Sequence, residues 1–418
     1  MFCATLVLGQ YCPLFCRPGS VGQVEPDFPI DRVRADTPGA SGVLHFNNAG
    51  SALPPDVVVD TVTSYLRREA EIGGYEAAAE AHESLEAAYT SVATLVGGRP
   101  DQVAITENAT RAWDMAVYGY PFQPGDRIVT GRSEYASNLL AFLQLEKRFG
   151  IEIVLVEDDA DGQIDLIALE RELEAGAEMV SLTHVATSGG MVNPAAAVGE
   201  LCRQHGVFYV LDACQSLGQV PVDVAELGCD VLSSTGRKYL RGPRGTGLLW
   251  VSDNAFERIE PPFVDLHAAV LTTDETYELR GDARRFEGWE RYVAGQLGLG
   301  SAIDYLLALG VDETTTRLRA LAVQLRESLG EIGGVHVHDK GKELGGIVTF
   351  TVDGQTATET KVALREAGIN TSVATGDTAR FDLGARGLDE VVRASVHYYN
   401  TTDEIDRFEA AVRELSRA

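Results

Sequence analysis

The chain has 418 residues, 45% hydrophobic and 23% charged, enough for one large domain with a sizeable core and a smaller domain beside it. Its 62 acidic residues against 35 basic give a formal charge of −27, which repels nucleic acid and anionic membrane and excludes both as expected partners. No apolar run approaches the roughly 20 residues that a membrane-spanning helix needs. Met1 to Cys16 is apolar but lacks the basic start and cleavage site of a signal peptide, so a cytoplasmic location is expected. Cys3, Cys12, Cys16, Cys202, Cys214 and Cys229 form no paired metal-binding spacing, and they read as reduced thiols with no metal site expected.

Residues 1–44 carry Pro13, Pro18, Pro26, Pro29 and Pro38 with several glycines and predict an irregular arm. Helical periodicity follows over 56–71, with Val58, Val62, Tyr65 and Leu66 on one face, and a second, alanine-rich helix is predicted over 77–95. Short apolar runs then recur at 103–105, 127–129, 151–156, 179–182, 207–211, 231–232 and 247–251, with helical stretches between most of them. This alternation predicts an α/β fold, with a large domain over 45–305 built on a mainly parallel, doubly wound, seven-stranded sheet. Residues 306–418 predict a smaller α+β domain. Its elements are a long helix at 311–332, strands at 335–338 and 346–352, a helix at 359–367 capped by Thr358 and ended by Gly368, and a closing helix at 403–417.

The chemistry starts from Lys238, just past the run 231–232, and Asp212, at the end of the run 207–211. An acid at the end of one strand and a lysine past the next point to an aldehyde cofactor. The amine would bind the aldehyde as a Schiff base, and the acid would keep a ring nitrogen protonated; that cofactor is pyridoxal phosphate (PLP). Its phosphate needs amide donors at a helix start, which Ala109 and Thr110 supply between the strand 103–105 and a predicted helix at 111–118, although an ordinary helix cap also explains Asn108 and Thr110. Tyr135, after the run 127–129, is a candidate for ring stacking or proton transfer, though an isolated tyrosine more often packs a core. His184, after the run 179–182, is a catalytic candidate of the same grade; a lone histidine there is more often structural. All fall at the C-terminal ends of strands, where sheets of this kind bind ligands.

Together these motifs resemble the class V aminotransferase family of fold-type I PLP enzymes, near its cysteine desulfurase and isopenicillin N epimerase branch. The resemblance runs from Phe46-Asn47-Asn48-Ala49-Gly50 to Tyr399-Asn400-Thr401. It rests on Thr183-His184-Val185, Gly190-Met191-Val192-Asn193-Pro194, Asp212 to Gln215, Thr235-Gly236-Arg237-Lys238, Arg285-Phe286-Glu287-Gly288 and Arg393-Ala394-Ser395. It implies that Lys238 binds the cofactor and moves the substrate's α-proton, that Asp212 pairs with the ring nitrogen, and that Gln215 bonds the phenolic oxygen. It further implies that Ala109, Thr110, Thr235 and Arg237 hold the phosphate, that Arg393 grips the substrate carboxylate, and that the enzyme is a homodimer acting on a small amino acid.

Four positions depart from the family pattern. Tyr135 stands in place of a stacking histidine, Thr187 of an asparagine, Arg237 of a histidine, and Trp289 of a threonine that reaches a neighbouring subunit. The segment 371–386, where desulfurases carry the thiol that accepts sulfur, holds no cysteine. On that ground the expected reaction is C–S β-elimination from a cysteine S-conjugate rather than persulfide formation. Transamination or epimerisation is the alternative, and a non-catalytic binding subunit the remote one.

Overall fold

Seven apolar runs pair into one sheet in the computed structural model, which describes residues 28–417. In chain order the strands are β1 (Val103–Thr106), β2 (Arg127–Gly131), β3 (Glu152–Val156), β4 (Met179–Thr183), β5 (Phe208–Asp212), β6 (Val231–Thr235) and β7 (Gly247–Val251). Across the sheet they run β1-β7-β6-β5-β4-β2-β3. The pairs from β6 to β3 are parallel, and β7 is antiparallel to both its neighbours. Successive side chains point to opposite faces. Val129, Val180, Tyr209, Leu211 and Leu232 therefore enter one core, and Ile128, Met179, Phe208, Val210 and Val231 the other. Burial on both sides explains why the central strands read as unbroken apolar runs. At their C-terminal ends the second face turns polar, with Thr130, Ser181, Thr183, Asp212, Ser233 and Thr235 all buried, and there the site forms.

The smaller sheet is antiparallel, in the order Val335–Val337, Ile347–Val352, Glu390–Ser395, Ser372–Thr375. Helices Val311–Gly330, Ala357–Glu366 and Thr402–Leu415 share its core. Its last two strands are not among the predicted elements, and they matter, because they place Ser372 opposite Arg393.

Four local expectations need correction. The alanine-rich helix is two, Gly74–Glu80 and His82–Val96, and the bend at Ala81 lets Ala77 and Leu85 reach one small core with Ala294 and Leu297. The helix at 357–366 is capped by Thr356, not Thr358: Thr356 Oγ1 accepts from Glu359 N at 3.1 Å, and Glu359 Oε2 accepts from Thr356 N at 2.8 Å, a reciprocal box that Thr358 cannot make. Thr358 instead donates to Glu390. The described part of the arm is ordered, with a helix Ile30–Ala35 between Pro29 and Pro38, and Leu44–His45 pairs with Ile369–Asn370. Cys3, Cys12, Cys16 and the rest of the arm lie outside the described residues. Finally, the expected domain boundary at 305–306 falls inside the helix Val293–Leu309; Gly310, with φ +87, separates it from the next helix at an 83° bend. Among the described residues no single helix is long and apolar enough to cross a membrane.

Candidate active site

A cavity opens where the parallel strands end, the place where sheets of this kind bind ligands. Lys238, Asp212, Gln215 and Tyr135 line it, as do the four residues expected at a phosphate, Ala109, Thr110, Thr235 and Arg237.

Lys238 follows β6 through a turn closed by Arg241 N to Lys238 O at 3.0 Å and Gly242 N to Gly236 O at 2.8 Å. Gly236 is required there, since a Cβ would come 2.2 Å from Thr246 Oγ1. The lysine is half-buried. Withdrawal from water lowers its pKa below the usual lysine range; Arg237 and Arg393 push the same way, and Cys214 and Asp212 oppose them. A lowered pKa raises the share of neutral, nucleophilic amine.

Asp212 ends β5. Its Oδ1 accepts from Cys214 N at 2.9 Å and its Oδ2 from Asn138 Nδ2 at 3.0 Å. Gln215 donates to Ala49 O at 3.1 Å and Thr187 Oγ1 at 3.2 Å, while its buried Oε1 has no partner. A buried orphan beside an open cavity calls for a bound polar group. At the helix Ala109–Val117, Asn108 Oδ1 caps the Arg111 N–H at 2.9 Å. That leaves the Ala109 and Thr110 amides without intrahelical partners, so the ordinary cap and an anion seat coexist. Gly247 lets β7 pass close behind, where a Cβ would meet the Asn108 carbonyl carbon at 2.3 Å. Arg237 Nη1 donates to Gly50 O at 3.1 Å and keeps further donors free.

Arg393, on the smaller sheet, does not itself line the cavity but bonds Thr187, which does. Its Nη1 donates to Thr187 Oγ1 at 2.6 Å and its Nε to Ser372 Oγ at 3.0 Å; these partners are neutral. A guanidinium without a carboxylate partner beside the cavity is a seat for a ligand carboxylate.

Two further residues sit differently, the candidate His184 and the thiol of Cys214. His184 does not line the cavity: its N–H donates to Asp212 O at 3.0 Å, its ring is buried with Nδ1 unpartnered, and burial lowers its pKa to about 4. Cys214 does line the cavity, but burial, reinforced by Asp212, holds its thiol protonated. Among the described residues no cluster of three metal-ligating side chains occurs.

The segment 371–386 is anchored at Asp382, which accepts from Ser188 Oγ at 2.5 Å and pairs with Arg386 at 3.2 Å and Lys340 at 3.3 Å. Sequence reasoning missed this anchor. It also missed Glu134 and Asn138 behind Asp212, and the roles of Thr187 and Ser372 beside Arg393. The family motifs hold Thr187 only as a departure.

A lysine with a lowered pKa, a buried acid, free helix-start amides and an orphaned amide oxygen fit PLP, and the fold and cavity define a fold-type I PLP-dependent enzyme. Residues 43–408 match the family model "Aminotransferase class-V", and the chain belongs to that family. It is 29% identical over 396 residues to a "Probable cysteine desulfurase" of Pyrococcus abyssi, covering 92% of this chain and 97% of that one. The apo structure of a cysteine desulfurase from Thermococcus onnurineus NA1 is similar at TM-score 0.88 and 26% identity, covering 94% and 100%. A likeness of fold alone, at TM-score 0.82 and 22% identity over 91% and 99% of the two chains, links it to a C-DES mutant with glycine bound to its PLP cofactor.

These relatives overturn the expectation that the missing thiol in 371–386 excludes persulfide-forming desulfurase activity. Chains matching over nine-tenths of this one carry the cysteine desulfurase name. The inference took one loop as the only place for a sulfur acceptor, and nothing in the fold requires that.

Proposed function

We propose that this enzyme is a PLP-dependent cysteine desulfurase, taking sulfur from L-cysteine and leaving alanine. The observation that carries the reading is the cavity itself: Lys238, Asp212 and Thr187 stand on its wall and Arg393 bonds Thr187, so an amino acid gripped by its carboxylate there would have its Cα–H near an amine. When bound, PLP supplies an electron sink for the pair left by the breaking Cα–H bond.

Lys238 binds the cofactor and then moves the proton at the substrate's Cα; its lowered pKa favours the base form. Asp212 holds the proton on the ring nitrogen, and Gln215 bonds the phenolic oxygen. Ala109, Thr110, Thr235 and Arg237 seat the phosphate. Arg393, oriented by Thr187 and Ser372, fixes the substrate carboxylate and so aims the Cα–H. Tyr135, which lines the cavity, would pack against the ring. The sulfur passes to a thiol outside 371–386: L-cysteine and an acceptor thiol give alanine and a persulfide, with no net oxidation.

The working unit is a homodimer. Tyr75, Phe263, Leu266, Leu271 and Trp289 are each more than half exposed, apolar side chains that a second copy would cover.

The test is incubation of the PLP-loaded protein with L-cysteine and dithiothreitol as the acceptor. Repeated turnover to alanine, matched by sulfide released from the persulfide, supports the reading. Pyruvate and ammonia in place of alanine would overturn it.

A further inference from the structure

We propose that Glu134 is a positioning residue for the cofactor's ring nitrogen: a second negative charge behind Asp212, coupled to it through Asn138. The inference rests on the PLP reading and concerns residues for which that reading gives no role.

One amide joins the two carboxylates. Asn138 Nδ2 lies 2.8 Å from Glu134 Oε1 and 3.0 Å from Asp212 Oδ2, so its two hydrogens serve one acid each. Glu134 is 5% exposed and Asn138 3%. Four more donors converge on Glu134. Tyr135 N and Thr183 Oγ1 reach Oε1 at 2.8 Å each, while Thr130 Oγ1 at 2.8 Å and Ser181 Oγ at 3.0 Å reach Oε2.

The three hydroxyls sit inside the sheet, where aliphatic residues otherwise prevail. Thr130 on β2 pairs with Ser181 on β4, and Thr183 on β4 pairs with Asp212 on β5, so all face the same side. Burying a hydroxyl costs free energy unless it is bonded, and each of these is bonded to Glu134. Glu134 also precedes the 14-residue helix Ala136–Phe149, whose start favours an anion. A mere space-filler needs neither five donors nor a helix start.

All five donors are neutral. Burial and the Asp212 charge push the Glu134 pKa up, and the bonds from Asn138, Thr130 and Thr183 oppose that push. A protonated ring nitrogen against Asp212 supplies the cation that this pair lacks. Reciprocally, the charge on Glu134 makes Asp212 a stronger holder of the ring proton.

The test reads the ring nitrogen directly. Wild type, Glu134→Gln, Asn138→Leu and Thr130→Val are loaded with PLP carrying an NMR-active nitrogen isotope in the ring, and the chemical shift of that nitrogen is measured near neutral pH. Wild type is expected at the protonated position, with Glu134→Gln and Asn138→Leu displaced toward neutral pyridine. Thr130→Val, which removes one donor but keeps both charges, is expected at the wild-type position. Unmoved resonances in Glu134→Gln and Asn138→Leu, or an unprotonated wild-type nitrogen, would overturn the inference. Should Glu134→Gln fail to fold, Asn138→Leu decides alone. A wild type that takes up no PLP would overturn the proposed function as well, whereas uptake with unmoved variants overturns only the role of Glu134.

Discussion

Arg393 Nη1 stands 2.6 Å from Thr187 Oγ1, a contact that ties the smaller sheet to the cavity wall across 206 residues of chain. The same hydroxyl accepts from Gln215 Nε2 at 3.2 Å. Thr187→Val removes it at nearly constant volume and leaves two buried donors short of a partner. The expected loss is about 1–2 kcal/mol, roughly five- to thirtyfold in kcat/KM for L-cysteine, with PLP still bound. Steady-state kinetics beside a PLP titration checks it, and unchanged kinetics would show that Thr187 does not orient the arginine.

Arg393 itself should cost more. Arg393→Ala removes the charged donors while Ser372 and Thr187 keep water as a partner. About 2–3 kcal/mol, roughly 30- to 150-fold in kcat/KM, should be lost. Arg393→Lys should recover only part of this, because an ammonium cannot offer the paired geometry. The spectrum of the bound cofactor should be unchanged in both variants.

His184 predicts a pH dependence of stability. Its folded pKa of about 4 lies below the ordinary 6.5, so between those values the unfolded chain takes up a proton that the folded chain refuses. Its contribution is complete above 6.5 and is lost as the pH falls toward about 4, to a total of about 3 kcal/mol. Urea unfolding of wild type and His184→Asn, compared near neutral pH and near the lower value, should show a shallower acid loss in the variant. Parallel loss in both would place the ring in water rather than in the core.

Much of this site was open to sequence reasoning because its parts end strands. Asp212 closes one apolar run and Lys238 follows the turn after the next, and such runs are what burial on both faces produces. Glu134 and Asn138, four apart at a helix start, look like any helix start. Only the pairing of β2 with β4 brings Thr130, Ser181 and Thr183 onto one carboxylate. The helix Val293–Leu309 is buried over most of its length, and its polar positions that are not buried, Ser301, Asp304 and Tyr305, are too few to mark a period in the sequence. The break at Ala81 falls in a run of good helix formers, so only tertiary packing marks it. The reaction was misread for a chemical reason: an absent thiol in 371–386 bears on where sulfur goes, and it says little about whether sulfur is removed.

Asp382 should govern that same segment. It accepts from Ser188 at 2.5 Å and pairs with Lys340 and Arg386, while Phe381 beside it packs on a core of the seven-stranded sheet. Asp382→Ala leaves two cations and a hydroxyl without their shared partner. Limited proteolysis should then cut within 376–388 at least several-fold faster than in wild type, with a raised KM for L-cysteine. Equal cleavage rates would mean that Phe381 and the neighbouring strands hold the segment without the carboxylate.

The central claim is that Lys238 carries the cofactor, and borohydride reduction of the PLP-loaded protein followed by peptide mass spectrometry tests it most directly. The account predicts a pyridoxyl group on the peptide containing Lys238 and none in Lys238→Ala. A group fixed on another lysine, or no fixed group in protein that has taken up PLP, would contradict it.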